Sequence, residues 1–278
     1  MTIDAHQHFW DPQRGDYGWL TPELGGLYRR FGPADLSPLM ASAGVEASIL
    51  VQAAPSEAET DYLLDLAAQT SWVLGVVGWV DFDRADIVQR IAERAREPLL
   101  VGVRPMLQDL SDPDWILAAS RSPSLQALAD HGLVFDALIR PRHLAAIAEV
   151  ARRHPSLSIV IDHAAKPVIS GKPPAEWTRD MMLAGARPNI ACKVSGLLTE
   201  APPGATAALL EPHLDVLIAA FGADRLVFGS DWPVVTQAAA YDTWIGIVRS
   251  WLAALGPEAE PGVMGLNARR IYLSRNRP

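Results

Sequence analysis

The chain has 278 residues, 49% of them hydrophobic, and a formal net charge of −8. That length supports a large buried core without covalent staples, and the acidity argues against nucleic acid or an anionic membrane surface as partner. A lone cysteine, Cys192, excludes an intramolecular disulfide and a four-cysteine zinc site. The N-terminal Met1-Thr-Ile-Asp-Ala-His has no basic region followed by an apolar stretch, so the cytoplasm is the expected setting. No segment offers the roughly 18 uninterrupted apolar residues of a spanning helix.

Short apolar, β-branched runs occupy 3–8, 48–53, 73–80, 100–106, 134–139, 157–163, 190–195 and 226–231. Amphipathic stretches at 57–69, 86–96, 143–153, 209–221 and 241–255 lie between them. Strand alternating with helix implies parallel strands joined by crossovers. Eight strands over this length predict closure into a single-domain (β/α)8 TIM barrel over 1–278. An open doubly wound sheet would carry a Gly-rich turn after its first strand, and here that strand runs into His6-Gln-His8. The segment 9–33 is too long for a simple connection and predicts an extended β1–α1 loop acting as a lid or binding loop, or packed on its own aromatics.

Two-residue periodicity places Asp4, His6 and His8 on one face of the first strand. Two imidazoles at the C-terminal end of a barrel strand point to a metal or catalytic site, because barrel active sites form there. His163 ends the sixth run and Asp231 the eighth, next to the first in a closed barrel. The structural alternatives are a hydrogen-bonded core histidine and a turn-capping aspartate. His131, His143, His154 and His213 belong to helical stretches away from the mouth and are expected to be structural.

All but three of the 24 Lys and Arg residues are arginine, and the three lysines, Lys166, Lys172 and Lys193, share one stretch. Lys193 shares parity with Ser195 and is expected inside the barrel, stabilising an oxyanion or paired with a buried Asp. Arg104 and Asp136 are the expected inward residues of strands four and five, paired with each other or gripping substrate. Gln52, Lys166, Trp79 and Trp232 complete the expected substrate-binding set.

In order along the chain, Asp4-Ala-His-Gln-His-Phe-Trp, Gly78-Trp-Val-Asp, Gly102-Val-Arg, Asp162-His, Lys166-Pro, Lys193-Val-Ser-Gly, Phe228-Gly-Ser-Asp-Trp-Pro and Asn267-Ala resemble the amidohydrolase superfamily, in its amidohydrolase 2 branch. The pattern is most similar to the sugar-acid and dicarboxylate lactonases, the L-fucono- and L-rhamnono-lactonases among them. The resemblance implies a site of His6, His8, His163 and Asp231, able to hold one divalent metal ion, with Asp231 deprotonating water. His163, Lys193 or a metal on His6 and His8 is then expected to polarise the carbonyl.

The pattern departs from binuclear members, because strand four offers Arg104 in place of a bridging Lys or Glu and strand five ends without a histidine. The lactonase branch includes single-zinc and metal-free members, so the expectation is at most one weakly bound zinc, with metal-independent hydrolysis as the alternative. A small-molecule lactone is the expected partner, and a homo-oligomer is compatible with the fold. The competing readings are a metal-dependent decarboxylase of an aromatic or unsaturated acid and a non-catalytic binding protein.

Overall fold

Each apolar run becomes a strand that is buried on both faces, between a filled lumen and a surrounding layer of helices. A computed structural model describes residues 1–274. Its strands are β1 (Ile3–Gln7), β2 (Ala47–Val51), β3 (Val73–Gly78), β4 (Leu100–Val103), β5 (Val134–Ala137), β6 (Ile159–Ile161), β7 (Ile190–Val194) and β8 (Leu226–Phe228). All pair in parallel, in the order β1 to β8. The helices are α1 (Pro33–Ala43), α2 (Glu57–Ala68), α3 (Ile87–Arg94), α4 (Ser122–Asp130), α5 (Leu144–Arg153), α6 (Ala175–Gly185), α7 (Ala207–Phe221) and α8 (Tyr241–Leu255). This is the (β/α)8 barrel.

Local chemistry sets the helix ends. Ser56 caps α2 by accepting from the Glu59 N–H, and the Glu59 carboxylate turns back to the N–H groups of Ala53 and Ala54. Gly32 precedes Pro33 at the start of α1, and its N–H donates to Asp35. In α5, Leu144, Ile147 and Val150 face the core while Glu149 pairs with Arg152 and Arg153 outside.

Ile3, Ile49, Val77, Val101, Val134, Val160 and Val227 fill the lower lumen. Tyr272, from a last helix Asn267–Tyr272, closes that end, its ring fully buried. Between β8 and β1 the seam runs through the turn after β8: the Asp231 N–H donates to the His6 carbonyl (2.8 Å) and the His8 N–H to the Trp232 carbonyl (2.7 Å). The barrel therefore closes through residues expected in the active site.

Two details differ from the strand pattern. Runs six and eight are shorter than 157–163 and 226–231, because His163 (φ 52°) and Asp231 (φ 60°) adopt left-handed backbone, which ends a strand. Asp4 does not share a face with His6. The β1–β2 register shifts between Asp4 and Gln7, so Ala5 and His6 both belong to the lumen while Asp4 turns outward to Tyr241 of α8.

The β1–α1 segment is packed on its own aromatics. Trp10 donates to the carbonyls of Leu27 and Arg29, and stands edge-on to Trp19 and Phe31. The Trp19 indole donates to the Ala53 carbonyl at 2.7 Å, tying this segment to the end of β2.

Candidate active site

Three imidazoles surround one carboxylate oxygen at the C-terminal mouth of the barrel. Asp231 Oδ1 lies 3.3 Å from His8 Nε2, 3.7 Å from His6 Nε2 and 3.9 Å from His163 Nε2. The His6 ring is 4.4 Å from His163 and 4.9 Å from His8, centroid to centroid. Two glycines permit this approach. A Cβ on Gly229 would stand 2.6 Å from His6 Cβ, and one on Gly196 (φ 66°) would stand 2.6 Å from His163 Nδ1.

Second partners fix the rings. His8 Nδ1 donates to the Val51 carbonyl at 2.8 Å, so its Nε2 presents a lone pair unless the ring is cationic. His163 Nδ1 lies 2.9 Å from Ser195 Oγ. His8 Nε2 and Asp231 Oδ1, two acceptors, thus face one another across a gap that a proton or a metal cation reconciles. Among the described residues His6, His163 and Asp231 form a metal-type group, with one ligand atom from each lying within 4.8 Å of the others. Two imidazoles and a carboxylate suit one divalent ion of the zinc type. His8 stands beside that group, against the carboxylate.

The electrostatics separate base from neutral groups. Burial works to raise the Asp231 carboxyl, but His163, His8 and His6 outweigh it and hold it well below the usual carboxylate range. Burial pushes His163 down to about 4 against the pull of Asp231 and Asp162. Burial and Lys193 likewise keep His6 neutral. His163 is therefore a neutral imidazole at pH 7.

Lys193 does not reach the mouth. It is fully buried below His6, with Nζ 2.5 Å from Asp136 Oδ2, 3.0 Å from Asp162 Oδ1 and 3.1 Å from His6 Nδ1. Its partners follow from desolvation: a dry ammonium must meet anions. Asp136 is also committed, accepting from Tyr272 Oη at 2.6 Å, so it does not pair with Arg104. Arg104 Nη1 stands 3.3 Å from Asp162 Oδ2 and 3.4 Å from His6 Nε2, and its Nη2 donates to Gln52. Gln52 Nε2 answers by donating to the Arg104 carbonyl at 2.9 Å. Arg104 is thus a second buried cation against His6, on its Nε2 side, with Gln52 as its clamp.

Trp232 is 2% exposed, edge-on to Phe9 and Phe31, and offers no free face to a ring. Trp79 is half-buried and lines a cleft of about 560 Å³ with Trp19, Phe82, Met106 and Trp115. The loops after β1 to β4 form this cleft, at the same end of the barrel as the histidines. Lys166, three residues beyond His163, is half-buried at φ 53° and does not line this cleft. The four other histidines lie on the helical layer, His143 capping the turn into α5 and His154 bonded to Ser122. Sequence reasoning assigned no role to Asp162 or Ser195. Asp162 directly precedes His163, and Ser195 has the parity of Lys193, so both signals were present.

The sequence pattern of the amidohydrolase family matches residues 3–273. The chain belongs to the amidohydrolase family. Within it, the chain is 46% identical to an L-fucono-1,5-lactonase of Burkholderia ambifaria, over 97% of this chain and 94% of that one. It is 36% identical to an L-fucono-1,5-lactonase of Burkholderia multivorans, over 98% and 96%. The crystal structure of an amidohydrolase from Burkholderia multivorans with bound Zn superposes with a TM-score of 0.92 at 36% identity, covering 98% of this chain and 99% of that one.

Proposed function

We infer that this amidohydrolase hydrolyses the lactone of a sugar acid, opening the ring by attack of water on the ester carbonyl. The observation that carries the mechanism is a single buried carboxylate, Asp231, held ionised by three imidazoles within 3.9 Å. Asp231 removes a proton from water as its oxygen bonds the carbonyl carbon. The ring C–O bond then breaks, and Asp231 returns that proton to the departing ring oxygen. Arg104 supplies positive charge toward the cluster, and His8, anchored on Val51, stands against the Asp231 oxygen. His6, His163 and Asp231 are the residues that would hold a divalent ion, zinc first among them, which when bound supplies Lewis acidity to the carbonyl.

Substrate class follows from the two L-fucono-1,5-lactonase relatives, with Trp19, Trp79 and Trp115 lining the cleft at the same end of the barrel. We propose a polyhydroxylated 1,5-lactone, with L-fucono-1,5-lactone the first to test. A pH-indicator screen over aldonolactones, dicarboxylate lactones and unsubstituted lactones should show the aldonolactones turned over fastest. Equal or faster turnover of an unsubstituted lactone would remove the sugar reading.

The metal is proposed as one weakly held ion per chain, because Arg104 Nη1 already faces the His6 Nε2 that the ion needs. A strong chelator should strip it without unfolding the protein, leaving reduced but measurable hydrolysis through Asp231 and Arg104. Two ions per chain, or a complete loss of activity restored by zinc, would contradict this.

The pH profile follows from the same groups. With Asp231 ionised and His163 neutral down to about 4, both are in their working forms through the neutral range. As pH falls through about 4, His163 gains a proton, repels cations and loses its lone pair. The acid limb of kcat/KM should therefore lie near or below about pH 5. A limb at the ordinary histidine value of about 6.5 would contradict the assignment.

A further inference from the structure

Asp4, outside the lumen, is a fully buried carboxylate with four donors converging on it. Oδ1 accepts from the N–H of Ser230 at 2.8 Å and of His6 at 3.2 Å. Oδ2 accepts from Ser230 Oγ–H at 2.6 Å and Tyr241 Oη–H at 3.1 Å. The position matters because β8 stops at Phe228 and the seam with β1 depends on the turn 229–232.

That turn is fastened on both sides of Asp231. Before it, Asp4 grips both the N–H and the hydroxyl of Ser230, and Trp244 Nε1 donates to the Gly229 carbonyl at 2.9 Å. After it, the Trp232 N–H donates to Ser230 Oγ at 3.0 Å. Asp231 itself sits at φ 60°, a left-handed conformation that a non-glycine residue keeps when its surroundings over-determine it. Among the described residues, the side chain that bonds the turn on both sides of Asp231 is Ser230, and Asp4 orients its hydroxyl.

We propose that Asp4, acting through Ser230, is the positioning residue that holds Asp231 in its left-handed conformation against His6, His8 and His163. The proposal rests on the reading of Asp231 as the base. Asp4 touches no substrate; it fixes where the proton acceptor points.

Two substitutions separate positioning from bulk stability. Ser230→Ala and Tyr241→Phe each remove one hydrogen bond to Asp4 Oδ2, and only the first touches the turn. Both should lower the melting temperature by similar amounts. Ser230→Ala should also lower kcat by about 10- to 100-fold with little change in KM, the scale of a displaced catalytic group. Tyr241→Phe should keep the wild-type kcat. Normal kcat in folded Ser230→Ala, or an equal loss in both variants, would overturn the proposal. If Ser230→Ala does not fold, Asp4→Asn, which keeps an acceptor at Oδ1, makes the same test and should lower kcat in the same way. A crystal structure of the folded variant reads the geometry without any substrate, so it stands even if lactones are not turned over. Asp231 should leave its left-handed conformation, and an unchanged φ with unchanged distances to the imidazoles would refute the role of Asp4.

Discussion

Asp231→Asn is expected to lower turnover by about 10²- to 10⁴-fold, the range for losing a general base. The substitution keeps shape while removing the one ionised oxygen that three imidazoles address. The turn should survive, because its fastening runs through Asp4, Ser230 and the Asp231 N–H, not through the Asp231 carboxylate. An amide also places an NH2 or a weaker acceptor against His8 Nε2, so affinity for a divalent ion should fall with the rate. KM should change far less than kcat. Near-normal turnover in this variant, measured as acid release from the best lactone, would show that another group takes the proton.

Lys193→Met is expected to be chiefly a stability variant. The ammonium neutralises Asp136 and Asp162, and all three side chains are fully buried. Removing one partner of such a network costs about 3–5 kcal/mol, which for a chain of this size lowers the melting temperature by roughly 10 °C. The pH dependence has a definite sign. Burial pushes Asp136 up to about 6 even with Lys193 opposing it, and without Lys193 it rises further. A carboxyl raised in the folded state loses its stabilising contribution as pH rises through that value. The deficit of Lys193→Met should therefore widen as pH rises above about 6 in thermal denaturation, where wild type has already lost that contribution and the variant is still losing it. An unchanged melting temperature with lost activity would instead place the lysine at the substrate.

These two residues illustrate what a one-dimensional pattern conveys. Asp231, His6 and His163 were legible because barrel topology sends the ends of strands one, six and eight to one mouth, whatever the fine geometry. Lys193 was legible as an inward residue, but its depth was not, since parity gives the face of a strand and not the height in the lumen. Asp4 was assigned to the wrong face because a register shift between Asp4 and Gln7 interrupts the alternation that the assignment used. The partners of Arg104 and Asp136 were also hidden. Asp136 is taken by Lys193 and by Tyr272, and that tyrosine arrives from the far end of the chain, a contact no local periodicity announces. Trp232 was expected to bind substrate, and the aromatics of the β1–α1 segment bury it.

If this barrel opens a sugar-acid lactone with Asp231 as the base, wild type and Asp231→Asn must differ on one substrate. The most direct measurement is ring opening of L-fucono-1,5-lactone followed by NMR, with wild type and Asp231→Asn in parallel against the spontaneous rate. Wild type should convert the lactone rapidly to the open acid, and the variant should stay close to the background rate. No acceleration by wild type on this or any other aldonolactone, or equal acceleration by both proteins, would contradict this assignment.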